Sequence, residues 1–271
     1  MPSFGYHKLG LLIAAGSFMT GSAFDAHAAD MTARQVAVAV FETSPGEKID
    51  LSGKNLSELD LAGIDLRAAV MSRADLYGTD LSKANLEGAD LSGAKLDRAV
   101  MTRTNFKGAN LEGVSILKPS IFSTPDFNVA ETPVFEGARL KAARIAARMD
   151  GVNFRGADLE GASIGPFDMT VEGGLAPSFL MRGADFTGAN LDGVEIRNVD
   201  FTFGRFPGAS LKGARLDTLN LTNADFSGAD LTDAEFSGCN LEGAKLTGAK
   251  GLDSVKGLGT ATNLETPAAK R

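Results

Sequence analysis

From Leu51 onward, one apolar position recurs at every fifth residue. Leu51, Leu56, Leu61, Leu66, Met71, Leu76, Leu81, Leu86, Leu91, Leu96, Met101, Phe106, Leu111, Ile116 and Ile121 keep this step without a miss. A second series two positions earlier is small, as at Ala74, Ala84, Ala89, Ala94, Ala99 and Ala109, with Lys54 and Pro119 as misfits near the block ends. Neither a helix nor a plain strand has period five. Side chains two apart share one side of an extended backbone, so both series point inward. The next two residues must turn, and the glycines found there tolerate positive φ. Four such corners close a square coil of 20 residues.

The step breaks twice. Phe122–Thr132, with Pro125 inside it and Pro133 just after it, reads as a loop leaving the coil. The step resumes at Phe135, Leu140 and Ile145, drops one residue, and continues at Met149, Phe154, Leu159, Ile164 and Met169. Arg139–Met149 has helix-forming residues, but the five-residue phase enters and leaves it nearly intact, so it is assigned to the coil. Thr170–Ser178, with Gly173-Gly174 and Pro177, is the second loop. A final block runs from Met181 through Phe186, Leu191, Ile196, Phe201, Phe206, Leu211, Leu216, Leu221, Phe226, Leu231, Phe236 and Leu241 to Leu246.

A 20-residue coil stacks positions 20 apart. Phe186, Phe206 and Phe226 then form a ladder over the small partners Ala184, Gly204 and Ala224. Phe179, Val199, Leu219 and Cys239 make the adjacent, bulkier column. Gly188, Gly208, Gly228 and Gly248 stack at one corner. Outward charges alternate along Asp185, Arg205, Asp225 and Lys245, along Glu195, Arg215 and Glu235, and along Arg67, Glu87 and Lys107. Coils about 4.8 Å apart bring opposite charges together. About nine coils give a rod of roughly 43 Å.

The ends differ. Lys8, the apolar run Leu9–Met19 and Ala26-His27-Ala28 read as a secretory signal, residues 1–28, cleaved after Ala28. The run is shorter than the ~20 residues a membrane span needs, and no later stretch could span. The mature chain is therefore expected to be periplasmic or secreted. Residues 29–48 hold a short helical cap and linker: Asp30 or Thr32 caps a helix, Val36, Val40 and Phe41 form its apolar face, although the Val36–Val40 alternation would also suit a strand, and Ser44-Pro45-Gly46 ends it. Residues 49–250 are the repeat. Residues 251–271 are a C-terminal cap, with a short helix at Leu252–Leu258, and a flexible polar tail.

Ala-Asp-Leu-Ser-Gly at 89–93 and Ala-Asp-Phe-Ser-Gly at 224–228 resemble the pentapeptide-repeat family. The resemblance implies an all-β fold, a right-handed quadrilateral parallel β-helix. It is specific for fold and poor for function, since the family does several unrelated jobs. Some members mimic DNA, bind DNA gyrase and protect it from quinolones.

Composition narrows the choice mainly by exclusion. Both histidines, His7 and His27, fall in the signal, which removes the usual general base and metal ligand. Cys239, the single cysteine, sits at an inward position and reads as an apolar filler, without a disulfide framework. The aspartates precede each inward centre, a regularity that fits turn-capping hydrogen bonds rather than calcium or catalysis. No catalytic, cofactor-binding or metal site is expected, and the chain reads as non-enzymatic. A net charge of −7 argues against direct nucleic-acid binding. The near balance of ten acids and nine bases from Asp50 to Ile121 argues against a continuous acidic face. With the signal, this weighs against gyrase mimicry, which stands as the alternative if the protein is cytoplasmic.

The leading expectation is an exported structural scaffold or protein-interaction module, its partner another protein that the sequence does not name. Phe203 stands out: it occupies an outward corner where Gly183, Asn223 and Gly243 are its stack neighbours. Two readings stay open for it, cover by the 170–178 loop, or contact with a partner or a second copy in a homodimer.

Overall fold

The structure is a computed structural model and describes residues 28–44, 46–67, 69–122, 128–167 and 179–258. The predicted signal, apart from Ala28, and the polar tail beyond Leu258 lie outside the described residues. The chain winds into a parallel β-solenoid of about nine coils. Its short strands are β1 (Ile49–Asp50), β2 (Ala69–Val70), β3 (Ser115–Leu117), β4 (Arg144–Ala146), β5 (Ser163–Ile164), β6 (Phe179–Leu180), β7 (Glu195–Arg197), β8 (Val199–Asp200), β9 (Arg215–Asp217) and β10 (Glu235–Ser237). One face is a six-stranded parallel sheet in the order β10-β9-β7-β5-β4-β3.

Each five-residue unit uses the same bonds. The Met71 N–H donates to Asp90 O at 2.6 Å and Arg73 N–H to Ser92 O at 2.7 Å, in the coil above. The Asp75 N–H donates to Lys54 O below at 2.9 Å. The Ala74 N–H donates to Met71 O at 3.0 Å, closing a β-turn whose third residue, Arg73, has φ 58°. A turn of this shape needs positive φ at that place, which is why glycine dominates there. The aspartates do what their spacing suggested: Asp90 Oδ1 accepts the Ser92 N–H at 3.0 Å, and Asp80, Asp225 and Asp230 repeat the bond.

The inward centres and their small partners form one continuous core. Arg139–Met149 is coil, as its phase predicted: Arg144–Ala146 pairs with Ser115–Leu117 on one side, and Arg144 and Ile145 with Ser163 and Ile164 on the other. The interruptions leave the phase unchanged. Asn105 pairs with Val134, 29 positions on, then Val134 with Asn153, 19 on, then Asn153 with Asp185, 32 on, before the 20-residue step returns at Arg205. The three-phenylalanine ladder therefore extends to six. Phe106, Phe135, Phe154, Phe186, Phe206 and Phe226 stack with centroids 4.7–5.1 Å apart and rings within 15° of parallel.

Both ends are covered. Helix α1 (Ala33–Glu42) starts at Thr32, which shares a reciprocal capping box with Gln35. Val36 is buried and Val40 packs on the core, but Phe41 is 89% exposed, so it does not belong to the apolar face expected of it. On a helix Phe41 lies well round from Val36, whereas Val40 lies one turn above it. Asp30 does not cap the helix. It exchanges hydrogen bonds with the edge residue Asn55, at 2.7 Å each way. At the other end, Leu252–Leu258 forms one 3-10 turn, Leu252–Ser254, rather than a helix. The coil then runs on to Lys256, which pairs with Glu235. Leu252, Val255 and Leu258 lie over the last layer of core.

The charge columns hold in part. Arg205 meets Asp185 at 3.5 Å and Arg215 meets Glu195 at 3.2 Å across coils. Arg67 instead takes Asp65 in its own coil at 2.6 Å, while Lys107 meets Glu136, which stacks on it in the next coil and continues the column's alternation, at 3.1 Å. A carboxylate two residues away is nearer to the Arg67 stem than one in the next layer.

Candidate functional site

The two interruptions and Phe203 converge on one corner of the rod. The column of residues just past the inward centres contains Thr102, Glu131, Asp150, Arg182 and Thr202. The column after it contains Arg103, Gly151, Gly183, Phe203 and Asn223. Hydrogen bonds from the second column to the first fix the stacking: Arg103 N–H to Glu131 O at 2.7 Å, Gly151 N–H to Arg182 O at 2.7 Å, and Gly183 N–H to Thr202 O at 2.9 Å. The first interruption ends in a 3-10 turn, Val129–Glu131, capped by Asn128. That turn places Glu131 in the column and leaves Val129 outside it.

Val129, Gly151, Arg182, Gly183, Thr202 and Phe203 line an open hollow of about 510 Å³. Its floor is bare backbone at the two glycines. Phe203 is 62% and Val129 52% exposed, where most corner positions are polar or glycine. Phe203 has φ 59°, one of twelve non-glycine residues in the left-handed region among the described residues, and the only aromatic one. The expected cover for it, the 170–178 loop, lies outside the described residues.

Beneath the hollow sits a charged cluster. Asp150 is fully buried. Its Oδ1 accepts the Arg182 backbone N–H at 3.1 Å and Nε–H at 2.9 Å, and its Oδ2 accepts the Arg148 Nε–H at 2.8 Å. Burial pushes the Asp150 carboxyl up, and these bonds outweigh it, so its pKa lies below the usual carboxylate value. The two arginine side chains stay more than two-fifths exposed. Asp150 therefore clamps the chain where it returns from the second interruption. Sequence reasoning missed this cluster. Its only signal was the residue dropped between Ile145 and Met149.

Cys239 lies where it was expected, fully buried, with its Sγ 3.3 Å from Leu216 O. Thr79 and Thr104 fill equivalent slots and donate to Leu56 O and Leu81 O. The thiol thus acts as a weak donor in a threonine position, and burial pushes its pKa up to about 11. Among the described residues no group of three or more His, Cys, Asp or Glu is arranged to hold a metal. No helix among them is long and apolar enough to cross a membrane.

This architecture defines a class. A model of the family described as pentapeptide repeats matches in eight copies, over residues 49–88, 84–116, 180–217 and 209–248, about half of the chain. The protein belongs to the pentapeptide-repeat family. Similar solved structures include HetL, a pentapeptide repeat protein involved in heterocyst differentiation regulation from the cyanobacterium Nostoc sp. strain PCC 7120. It shares 23% identity over 78% of this chain and 90% of that chain, with a TM-score of 0.32. A pentapeptide repeat protein from the Arabidopsis thaliana thylakoid lumen shares 28% identity over 40% of this chain and 63% of that one, with a TM-score of 0.25. Full-length QnrB1, a plasmid-mediated fluoroquinolone resistance protein, shares 19% identity over 79% and 91%, with a TM-score of 0.28. No curated protein matches the chain.

Proposed function

We propose that the protein is an exported, non-enzymatic interaction module that recognises another protein through the Phe203 corner. The observation that carries this reading is the apolar hollow itself. It is assembled where both interruptions return to the rod, and it exposes an aromatic ring at a position glycine usually fills. A solenoid supplies a stiff mount, and departures from its repeat are where recognition is usually placed. Export is supported by the Leu9–Met19 run and the Ala26-His27-Ala28 site. A DNA-mimic role draws no support from the surface, where arginines and lysines bridge carboxylates of neighbouring coils.

Fractionation with N-terminal sequencing tests export: a mature chain starting at Ala29 agrees, and cytoplasmic protein retaining Met1 refutes it. Affinity capture from the matching fraction tests recognition. Wild-type bait is expected to retain a defined species, this chain included, that Phe203→Asn bait loses. Equal capture by both baits refutes the assignment of the corner.

A further inference from the structure

We propose that the occupant of this corner is the same corner of a second copy, set antiparallel. The inference rests on the interaction reading above and commits it to one partner. Three successive coils on this face carry Arg148, Leu180 and Asp200 in the column before the centre, and Gly151, Gly183 and Phe203 in the corner column. The stacking is fixed by the pairing of Leu180 with Asp200 and by the Met149 N–H donating to Leu180 O at 2.7 Å.

A two-fold axis lying in the contact plane, across the rod at the Leu180 coil, reverses this order and keeps each column facing itself. Phe203 then lies over Gly151 of the second copy, a knob into a hole, and the reverse holds on the other side. Arg148 faces Asp200 of the second copy. Its Nε–H is held by Asp150 at 2.8 Å, and the rest of its guanidinium, on a side chain more than two-fifths exposed at the edge of the clamp, is what meets the carboxylate, so both charge pairs are complementary. Leu180 faces its own equivalent. Val129, in the wall of the same hollow, meets the incoming ring. Arg182 faces Arg182, but each already pairs with Asp150 at 2.9 Å. Asp150 faces Thr202. No axis one coil up or down matches both the ring to a glycine and the arginine to the aspartate.

The contact covers about five coils, roughly 24 Å of the rod. Stable dimers bury about 800 Å² per partner, more than a patch of this length on one narrow face. The dimer is therefore one that dissociates on dilution.

Sedimentation velocity from about 1 μM to about 1 mM is expected to show mass rising towards twice the monomer. Phe203→Asn is expected to raise the dimer Kd about tenfold or more. Its thermal midpoint is expected to hold or rise, because Asn accepts positive φ better than Phe, so lost association is not lost folding. Position is tested in a Cys239→Thr background under mild oxidation with copper–phenanthroline. Leu180→Cys, on the axis, forms a linked dimer, and Asn240→Cys, three coils along the same column, does not.

A monomer at every concentration, a dimer indifferent to Phe203→Asn, or equal linking at 180 and 240 overturns the self-pairing. If the chain stays monomeric yet binds a different protein through Phe203, self-pairing alone fails. If no association of any kind depends on Phe203, the interaction reading fails with it.

Discussion

Replacing Phe154 by Leu should separate the phenylalanine ladder from the rest of the core. Leu is the ordinary occupant of this inward position elsewhere, at Leu81, Leu86 and Leu91, so the coil can accept it. What changes is the stack. Phe154 lies between Phe135 and Phe186, with centroids 5.0 and 5.1 Å away. Each stacked pair is worth about 0.5–1.5 kcal/mol beyond burial. The lost volume of roughly 25 Å³ adds about 0.6 kcal/mol of cavity cost. The expected loss is about 2–3 kcal/mol. Among the described residues Phe106 ends the ladder and stacks on Phe135 alone. Phe106→Leu should therefore cost only about 1–2 kcal/mol. Urea titration followed by far-ultraviolet circular dichroism measures both, provided the slope with denaturant is unchanged. Equal losses, or a change within about 0.5 kcal/mol for Phe154→Leu, would refute the claim that the ladder contributes beyond its area.

Further outcomes follow from the same structure. Asp150→Asn should destabilise by about 2–3 kcal/mol, below the range for a fully buried pair because its arginines remain partly in water. The folded pKa of Asp150 is depressed, so its contribution is whole above the unfolded value of about 3.9 and fades as pH falls through the folded one. Below about pH 4, wild type should lose stability more steeply than Asp150→Asn in thermal melts. Gly204→Ala would place a Cβ 2.8 Å from Phe201 O and 3.0 Å from Phe206 Cε2, and should cost about 1–3 kcal/mol in the urea assay. Cys239, with a thiol pKa of about 11, should resist thiol reagents at pH 8 until the chain unfolds, as a colorimetric assay would record.

Much of the rod is legible in the chain because a single five-residue rule sets face, turn and register together. Ala84, Leu86, Ala89 and Leu91 point inward and Asn85, Glu87, Asp90 and Ser92 outward on that rule alone, and the structure agrees. The full ladder was hidden by arithmetic. Phe106, Phe135, Phe154 and Phe186 are separated by 29, 19 and 32 residues, so a search at 20 finds only its last three rungs. The Asp150 clamp was hidden by chemistry: it follows its centre Met149, whereas the turn-capping aspartates precede theirs, and other aspartates in that slot, Asp97 and Asp192, also accept a backbone N–H of the next coil yet stay partly exposed, so burial sets this one apart. Phe203 stood out by type, because a large ring at a glycine corner breaks the rule. Its neighbours Val129 and Arg182 did not. Val129 arrives from an irregular segment, and Arg182 has the pattern of any solvent-facing base. Phe41 misled because neighbouring apolar residues on a helix need not share a face.

The central claim is that the departures from the repeat build one recognition face, at Phe203. Hydroxyl-radical footprinting across a concentration series tests it most directly, because Phe41, Tyr77 and Phe167 are exposed reporters elsewhere on the rod. The account predicts that association slows oxidation of Phe203 and Val129 and leaves those three unchanged. Protection at Phe41, Tyr77 or Phe167, with Phe203 still fully reactive, would contradict it.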